Sequence, residues 1–421
     1  MEEIKKTESA KRVFWQFPWG YGESLIVVSG LLVVGFALEL SSPLDLQLLR
    51  EPISRILGAA LLLICAFAGL VLPNNRLVRW LGSVQLSVAL IAGLLVLSLI
   101  MGLTPQLSPA SPHDHSSWLG RLSLNRLTSS WAFILVYGLL MVSLGIVVFR
   151  RVRRPGAKFV FLLNHLGLWL CLAAGALGSA DRLVYSMWVE EGQVEWRGRL
   201  PMGLVVELPL AIQLNKFHLE EYPPKLTIIN SRTGIPLTED GKTRWYQVDP
   251  ERPASGRLGN WTIMVKEYHQ GAIRAKGGVY LESPRLEAAP AALIRAVDEK
   301  SGEIKEGWIT DGGQMQPFQV LNLTDELALV MAKAEPKSFL SEIKVFSKDG
   351  ASAEAALEVN KPFRTGDWMV YQSSYNDKAG RLSRHSGFEL VYDPWLPLVY
   401  AGLVMMTLGA LVMIWRGRQR A

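Results

Sequence analysis

The sequence predicts an α-helical polytopic membrane protein of about six transmembrane helices, with a large β-rich extracytoplasmic domain inserted before the last helix. Three observations carry that reading. Six apolar runs approach spanning length: Ser24–Leu40, Ile56–Leu72, Leu81–Leu103, Trp131–Phe149, Phe159–Leu177 and Trp395–Trp415. Between the last two lies a long stretch of short alternating runs bounded by Gly, Pro, Asn and Asp. Basic residues collect in four clusters that six spans place on one side of the bilayer.

Residues 1–20 form a charged, amphipathic lead with Phe14, Trp15, Phe17 and Trp19 near the interface, and no small-residue cleavage site follows the first apolar run. Residues 21–80 make a hairpin of the two shortest spans, turned back at Asn74-Asn75-Arg76. Its alternative is a helical hairpin buried among the other helices. Residues 81–178 hold three more spans, with an outer loop at 104–128 rich in Ser and Pro. Residues 179–393 form the β-rich domain, with strands expected at Val205–Leu208, Ala211–Leu214, Lys225–Ile229, Trp261–Glu267, Gly278–Leu281, Leu327–Val330, Ile343–Phe346 and Trp368–Gln372. That spacing suggests a sandwich or barrel-like module. Helices are expected around Ala288–Glu299 and Glu335–Leu340. Residues 394–421 give the last span and a basic tail.

The four basic clusters are Lys5, Lys6, Lys11 and Arg12; Arg76 and Arg79; Arg150, Arg151, Arg153, Arg154 and Lys158; and Arg416, Arg418 and Arg420. The positive-inside rule assigns them, and both termini, to the cytoplasm. The net charge of +6 is therefore a topology signal rather than a nucleic-acid patch, since residues 178–394 carry 26 Lys/Arg against 30 Asp/Glu. Cys65 and Cys171 both fall inside spans, so the outer domain has neither a disulfide nor a Cys-x-x-Cys.

Enzyme motifs are absent: no Gly-x-Ser-x-Gly, His-Glu-x-x-His, P-loop or Gly-x-Gly-x-x-Gly occurs. Glu190-Glu191 and Glu220-Glu221 are adjacent, and neighbours on a strand face opposite sides, so spacing alone makes neither an acid/base pair. The informative residue is His165, inside Phe-Leu-Leu-Asn-His-Leu-Gly-Leu-Trp-Leu, six residues after its span begins and so about 10 Å deep. An imidazole in hydrocarbon is costly and faces a partner, a cofactor or a wet cavity. On a helical wheel Gly167, Cys171, Ala174 and Gly178 form a small-residue stripe, while His165, Trp169, Leu172 and Ala176 lie opposite. Neutral imidazole is a common axial ligand of haem iron. A histidine hydrogen-bonded to a neighbouring helix is the other reading, and the residues alone leave both open. No second histidine lies at bilayer depth, so a haem here needs its other ligand from elsewhere. His113-Asp114-His115 is a weak metal signal and reads more simply as a polar loop. His385, about ten residues before the last span, is placed near the outer face, whereas His218 and His269 read as surface or strand residues.

Several separated stretches, in order, resemble the ResB (CcsB) family of c-type cytochrome biogenesis. They are Leu81-Gly-Ser-Val-Gln-Leu-Ser through Gly102-Leu-Thr-Pro-Gln106, Leu127-Thr-Ser-Ser-Trp-Ala-Phe133 leading to Arg150-Arg151, and Asn164-His165-Leu166-Gly167-Leu168. In the outer domain they are Leu208-Pro209, Asn215-Lys216-Phe217, Glu221-Tyr222-Pro223, Lys361-Pro362-Phe363, Gly366 and Tyr371-Gln372-Ser373-Ser374-Tyr375, followed by Asp393-Pro394. The resemblance runs from Leu81 to the C-terminus, about four fifths of the chain; the hairpin 21–80 is extra to the four-span family plan.

The resemblance implies a bacterial cytoplasmic (inner) membrane protein with its large domain on the periplasmic side. It implies haem b on His165, shared with a ResC/CcsA-type membrane partner that supplies the second ligand, with His113, His115 and His385 as further candidates near haem. It implies haem export and covalent attachment to apocytochrome c, with this chain an accessory rather than a catalytic subunit of the haem lyase, in contact with membrane lipid. The competing reading is a structural assembly protein that binds no haem and recruits partners through its outer domain.

Overall fold

The computed structural model describes residues 15–107, 116–152, 159–239, 241–248, 255–283, 285, 288–313, 316–377, 379 and 383–418. Two compact units result, one of residues 1–183 with 391–421 and one of residues 184–390.

The first unit is helical: α1 (Tyr21–Ser41), α2 (Ile53–Leu70), α3 (Arg76–Leu81), α4 (Val84–Leu103), α5 (Trp118–Arg121), α6 (Trp131–Val152), α7 (Phe159–Asp181) and α8 (Leu396–Arg418). Six helices are long and apolar enough to cross a membrane, including the two of the extra hairpin. Their ends follow local capping chemistry. Glu23 accepts the Gly20 N–H at 2.9 Å to open α1, and the Asn75 and Ser83 side chains accept backbone N–H groups at the heads of α3 and α4. Asp393 does the same for α8 through the Leu396 N–H at 3.0 Å. The turn expected at Asn74-Asn75-Arg76 thus starts a separate short helix before the third span.

The small-residue stripe on α7 meets α8. A methyl group added to Gly167 would lie 2.7 Å from the Gly402 carbonyl oxygen, and one added to Gly402 would lie 2.6 Å from that of Gly167. Gly178 is covered in the same way by Trp395, and Asn164 rests on Gly409. Hydrophobicity cannot pull helices together in lipid, so such close backbone approach is the usual source of cohesion.

The extra hairpin belongs to this bundle, with α1 against α4 and α6, and α2 against α6 and α7. Two buried carboxylates bind it in place. Glu39, 1% exposed, accepts from the Ser123 hydroxyl at 2.6 Å and from the Trp131 N–H at 2.9 Å. Asp181, 3% exposed, accepts from the Glu51 N–H at 2.7 Å, the Ser54 hydroxyl at 2.6 Å and the Trp395 indole at 2.7 Å. A buried carboxylate is tolerated only when its oxygens are satisfied in this way.

The second unit is β-rich. Its larger sheet holds β1 (Leu183–Glu190), β2 (Val194–Arg199) and β3 (Val205–Glu221). The strands that follow are β4 (Lys225–Asn230), β5 (Thr238–Glu239), β6 (Lys242–Thr243), β7 (Tyr246–Gln247), β8 (Ser255–Leu258), β9 (Trp261–Arg274) and β10 (Tyr280–Glu282). Then come β11 (Ala289–Asp298), β12 (Ile304–Thr310), β13 (Leu321–Asn322), β14 (Leu327–Met331), β15 (Pro336–Ser347), β16 (Ser352–Glu358), β17 (Phe363–Thr365), β18 (Trp368–Tyr375) and β19 (His385–Tyr392). Eight strands run in the order β16-β15-β3-β2-β1-β19-β18-β17, and β16 returns toward β18 so that the sheet nearly closes. The sheets β10-β9-β11-β12 and β13-β14-β4-β7 face each other over one core containing Leu226, Ile228, Ile263, Ile294, Ile309 and Leu329. The β-rich region expected before the last helix is therefore present, as a nearly closed eight-stranded sheet and a pair of facing sheets.

Both helices expected in this region are strands. Ala288–Glu299 falls on β11 and Glu335–Leu340 on β15. The alanines of β11 have good helix propensity, but tertiary context overrides it. β11 is hydrogen-bonded on both edges, to β9 and β12, and Ala292, Ile294 and Ala296 alternate into the core. In β15, Pro336 sits at the first position, where a strand tolerates it, and Ile343 and Val345 alternate inward.

The helix seam gives a direct test. Gly402→Ala should destabilise the protein by about 1–2 kcal/mol through overpacking, read as a lower melting temperature in detergent. Gly30→Ala, where an added methyl meets nothing within 4 Å, should not.

Candidate functional site

His165 lies in the second turn of α7, half-buried. Its Nδ1 is 3.0 Å from the Phe161 carbonyl oxygen, one helical turn back. A carbonyl oxygen only accepts, so Nδ1 carries the proton and donates. The other ring nitrogen, Nε2, has no hydrogen-bond partner among the described residues, and in the neutral imidazole it is the unprotonated one. This is the tautomer in which metal-ligating histidines are held by a backbone carbonyl. The Phe161 ring stacks on the imidazole, with centroids 3.8 Å apart and planes inclined by 19°. That contact fixes the ring plane on one side.

Arg151, at the end of α6, places its guanidinium 5.3 Å from the centre of the Phe161 ring. Its Nε is buried without a hydrogen-bond partner among the described residues. Arg151 and the His165 imidazole both lie against the Phe161 ring, and a cationic donor and an imidazole nitrogen are groups that could hold an amphiphilic anion with a metal centre. The face of α7 opposite the glycine seam turns toward α6. The Trp169 indole donates to the Met141 carbonyl at 3.0 Å, and the Tyr137 hydroxyl donates to the Leu172 carbonyl at 2.9 Å. These bonds lock the rotation of α7 and hence the direction of His165.

His113 and His115 lie outside the described residues. His385 opens β19, with its Nε2 3.9 Å from a Glu190 carboxylate oxygen and half its side chain exposed. His218 sits on β3, 3.3 Å from Glu342, and His269 on β9, stacked on Trp308. Among the described residues no group of three His, Cys, Asp or Glu side chains is arranged to hold a metal ion. Cys65 and Cys171 are both free, Cys65 being buried against Gly145.

The adjacent carboxylates are tied into ordinary structure. A hydrogen bond from the Ser338 hydroxyl, then Lys337, holds Glu220 below the usual carboxylate range, while Glu191 accepts the Phe217 N–H at 2.8 Å. Elsewhere in the β-rich unit, a hydrogen bond from Arg197 holds Glu195 down at about 2. Hydrogen bonding to the ionised carboxylates accounts for these two shifts.

Three residues escaped sequence reasoning. Glu39 lies inside the first apolar run. Asp181 lies four residues past the predicted end of its span. Arg151 stands in the sequence as a topology charge and at the end of a resembling stretch, with nothing to mark it as a site residue. A charged residue inside or at the end of an apolar run was the available signal for the first two.

Six apolar helices and a β-rich unit inserted before the last of them define a polytopic membrane protein with one large domain outside the helices. Residues 303–385 match the model of the ResB-like family, which is associated with cytochrome c biogenesis, and this agrees with assignment of the chain to the ResB (CcsB) family. The matched segment runs from β12 to the first residue of β19 and includes the closing stretches of the resemblance; α7 and His165 lie outside it. No curated protein matches the chain.

The tautomer is measurable. In histidine-labelled protein in bilayers, ¹⁵N NMR should find His165 protonated at Nδ1 and bare at Nε2. Substituting Phe161 by Leu should keep that tautomer, because the acceptor is a backbone carbonyl, while freeing the ring to rotate.

Proposed function

We propose that this protein is a cytochrome c biogenesis subunit that receives haem in the membrane on His165 and supports its transfer toward apocytochrome c. The observation that carries the reading is the free Nε2 of His165, presented by a Nδ1–H donated to the Phe161 carbonyl. In this reading Nε2 is one axial ligand, and Arg151, with its unpartnered Nε, takes a haem propionate. Bound there, haem supplies an iron centre whose potential is set by its axial ligands. The chain's own residues orient the imidazole, fix its tautomer and give a cationic contact at the bundle end that carries Arg150 and Arg151.

The second axial ligand comes from a ResC/CcsA-type membrane partner, since among the described residues no other histidine lies on an apolar helix. The basic loops face the cytoplasm and the β-rich unit faces the periplasm of a bacterial inner membrane, following the positive-inside rule. Thioether formation belongs to the partner. The β-rich unit then serves as a docking surface for the partner or for apocytochrome c.

One observation favours the structural reading instead: the imidazole is already hydrogen-bonded and stacked within its own helix. The two readings separate in one experiment. Co-purified with its partner, the wild-type pair should show a reduced haem spectrum that His165→Ala loses by about tenfold or more, as expected for loss of a metal ligand. Exogenous imidazole should partly restore the spectrum in His165→Gly by filling the vacated position. An unchanged spectrum in an intact His165→Ala complex would overturn the assignment.

A further inference from the structure

The bundle contains a second feature, at the end of the helices opposite Arg150 and Arg151. A cavity of about 440 Å³ opens between α2, α6 and α7, walled by residues including Leu57, Leu61, Phe133, Met141, Ala176 and Leu177. Its volume is in the range of sites that take small-molecule ligands. One polar group of its wall, the Tyr137 hydroxyl, is already spent on the Leu172 carbonyl. Two glycines of the wall, Gly138 on α6 and Gly175 on α7, would each extend an added methyl into open space, with nothing within 4 Å. Bare glycine backbone toward a void is unfavourable packing unless something fills it, because lining atoms without neighbours forfeit dispersion contacts.

Arg50 marks one rim of the cavity. Leu49, its neighbour, and Ala180, whose carbonyl accepts from Arg50 Nε at 3.2 Å, both line the wall. The terminal nitrogens of Arg50 make no hydrogen bond or ion pair among the described residues, and the residue is exposed. The acidic groups nearby are engaged elsewhere: Glu51 pairs with Arg55 and accepts from Tyr392, and Asp181 is satisfied by Ser54, Trp395 and the Glu51 N–H. An uncompensated guanidinium at the mouth of an apolar cavity, at the end of spanning helices, matches an amphiphile with one acidic head and an apolar tail.

We infer that this cavity is a binding site for one anionic phospholipid, with an acyl chain between α2, α6 and α7 and the phosphate on Arg50. The site needs the extra hairpin, which supplies Arg50, Leu57 and Leu61. It therefore gives residues 21–80 a role: they close a lipid site against α6 and α7. The site is separate from His165, which lies eleven residues from Ala176 along α7, about 16 Å.

Native mass spectrometry of the full-length chain, released from nanodiscs of equal parts phosphatidylglycerol and phosphatidylcholine, tests the assignment. One phosphatidylglycerol should stay bound to the wild type. Gly175→Phe and Gly138→Phe, which fill the cavity, should each lower that occupancy by about tenfold or more while keeping or raising the melting temperature. Arg50→Gln should abolish the preference for phosphatidylglycerol, and Arg50→Lys should restore it. Wild type that strips clean of lipid, occupancy unchanged in a folded Phe variant, a preference that survives Arg50→Gln, or a bound mass that is haem rather than lipid would each overturn the inference.

Discussion

The near-contact of Gly167 with Gly402 is the constraint on which the rest of the helical unit depends. Two backbones meet there with no side chain between them, and Trp395 covers Gly178 about three turns further on. This fixes the rotation of α7 about its own axis. With that face committed to α8, Trp169 and Tyr137 can make their bonds across to α6, and His165 is turned out of the tight seam. A larger residue at either glycine would separate the helices and change the direction of the imidazole, without touching the histidine itself.

The buried carboxylates do comparable work at the other end of the bundle. Glu39 caps the start of α6 through the Trp131 N–H, and Asp181 gathers donors from α2 and α8. Leaving one such buried donor unsatisfied costs about 1–3 kcal/mol, so each carboxylate is a strong tie rather than a surface decoration. Through them the extra hairpin becomes part of the wall of the helical unit. The same arrangement leaves space between α2, α6 and α7, because Gly138 and Gly175 put no side chain there.

Much of this was legible in the sequence. The apolar runs gave all six spanning helices, and the glycines of α7 gave a close-packing face, because both signals depend on local composition and helical period. Most expected strands also formed, although Val205–Leu208 and Ala211–Leu214 proved to be parts of the single long strand β3. What failed was decided by tertiary pairing. The alanines of β11 favour helix in isolation, yet two neighbouring strands and a shared core claim them. The partners of Glu39, Asp181 and Arg151 lie on other helices, so no local pattern could reveal whether these charges were solvated or buried. His165 stood out early because its cost is local. Its tautomer did not, since that depends on the geometry of the Phe161 carbonyl.

The central claim is that His165 is an axial ligand, and replacing the ligand atom tests it most directly. In the His165→Met variant of the co-purified pair, a thioether would take the place of the imidazole, and such a change raises the reduction potential of haem iron. The account predicts a haem retained in part, with its potential shifted upward relative to wild type. Haem at wild-type occupancy with an unchanged potential would contradict it.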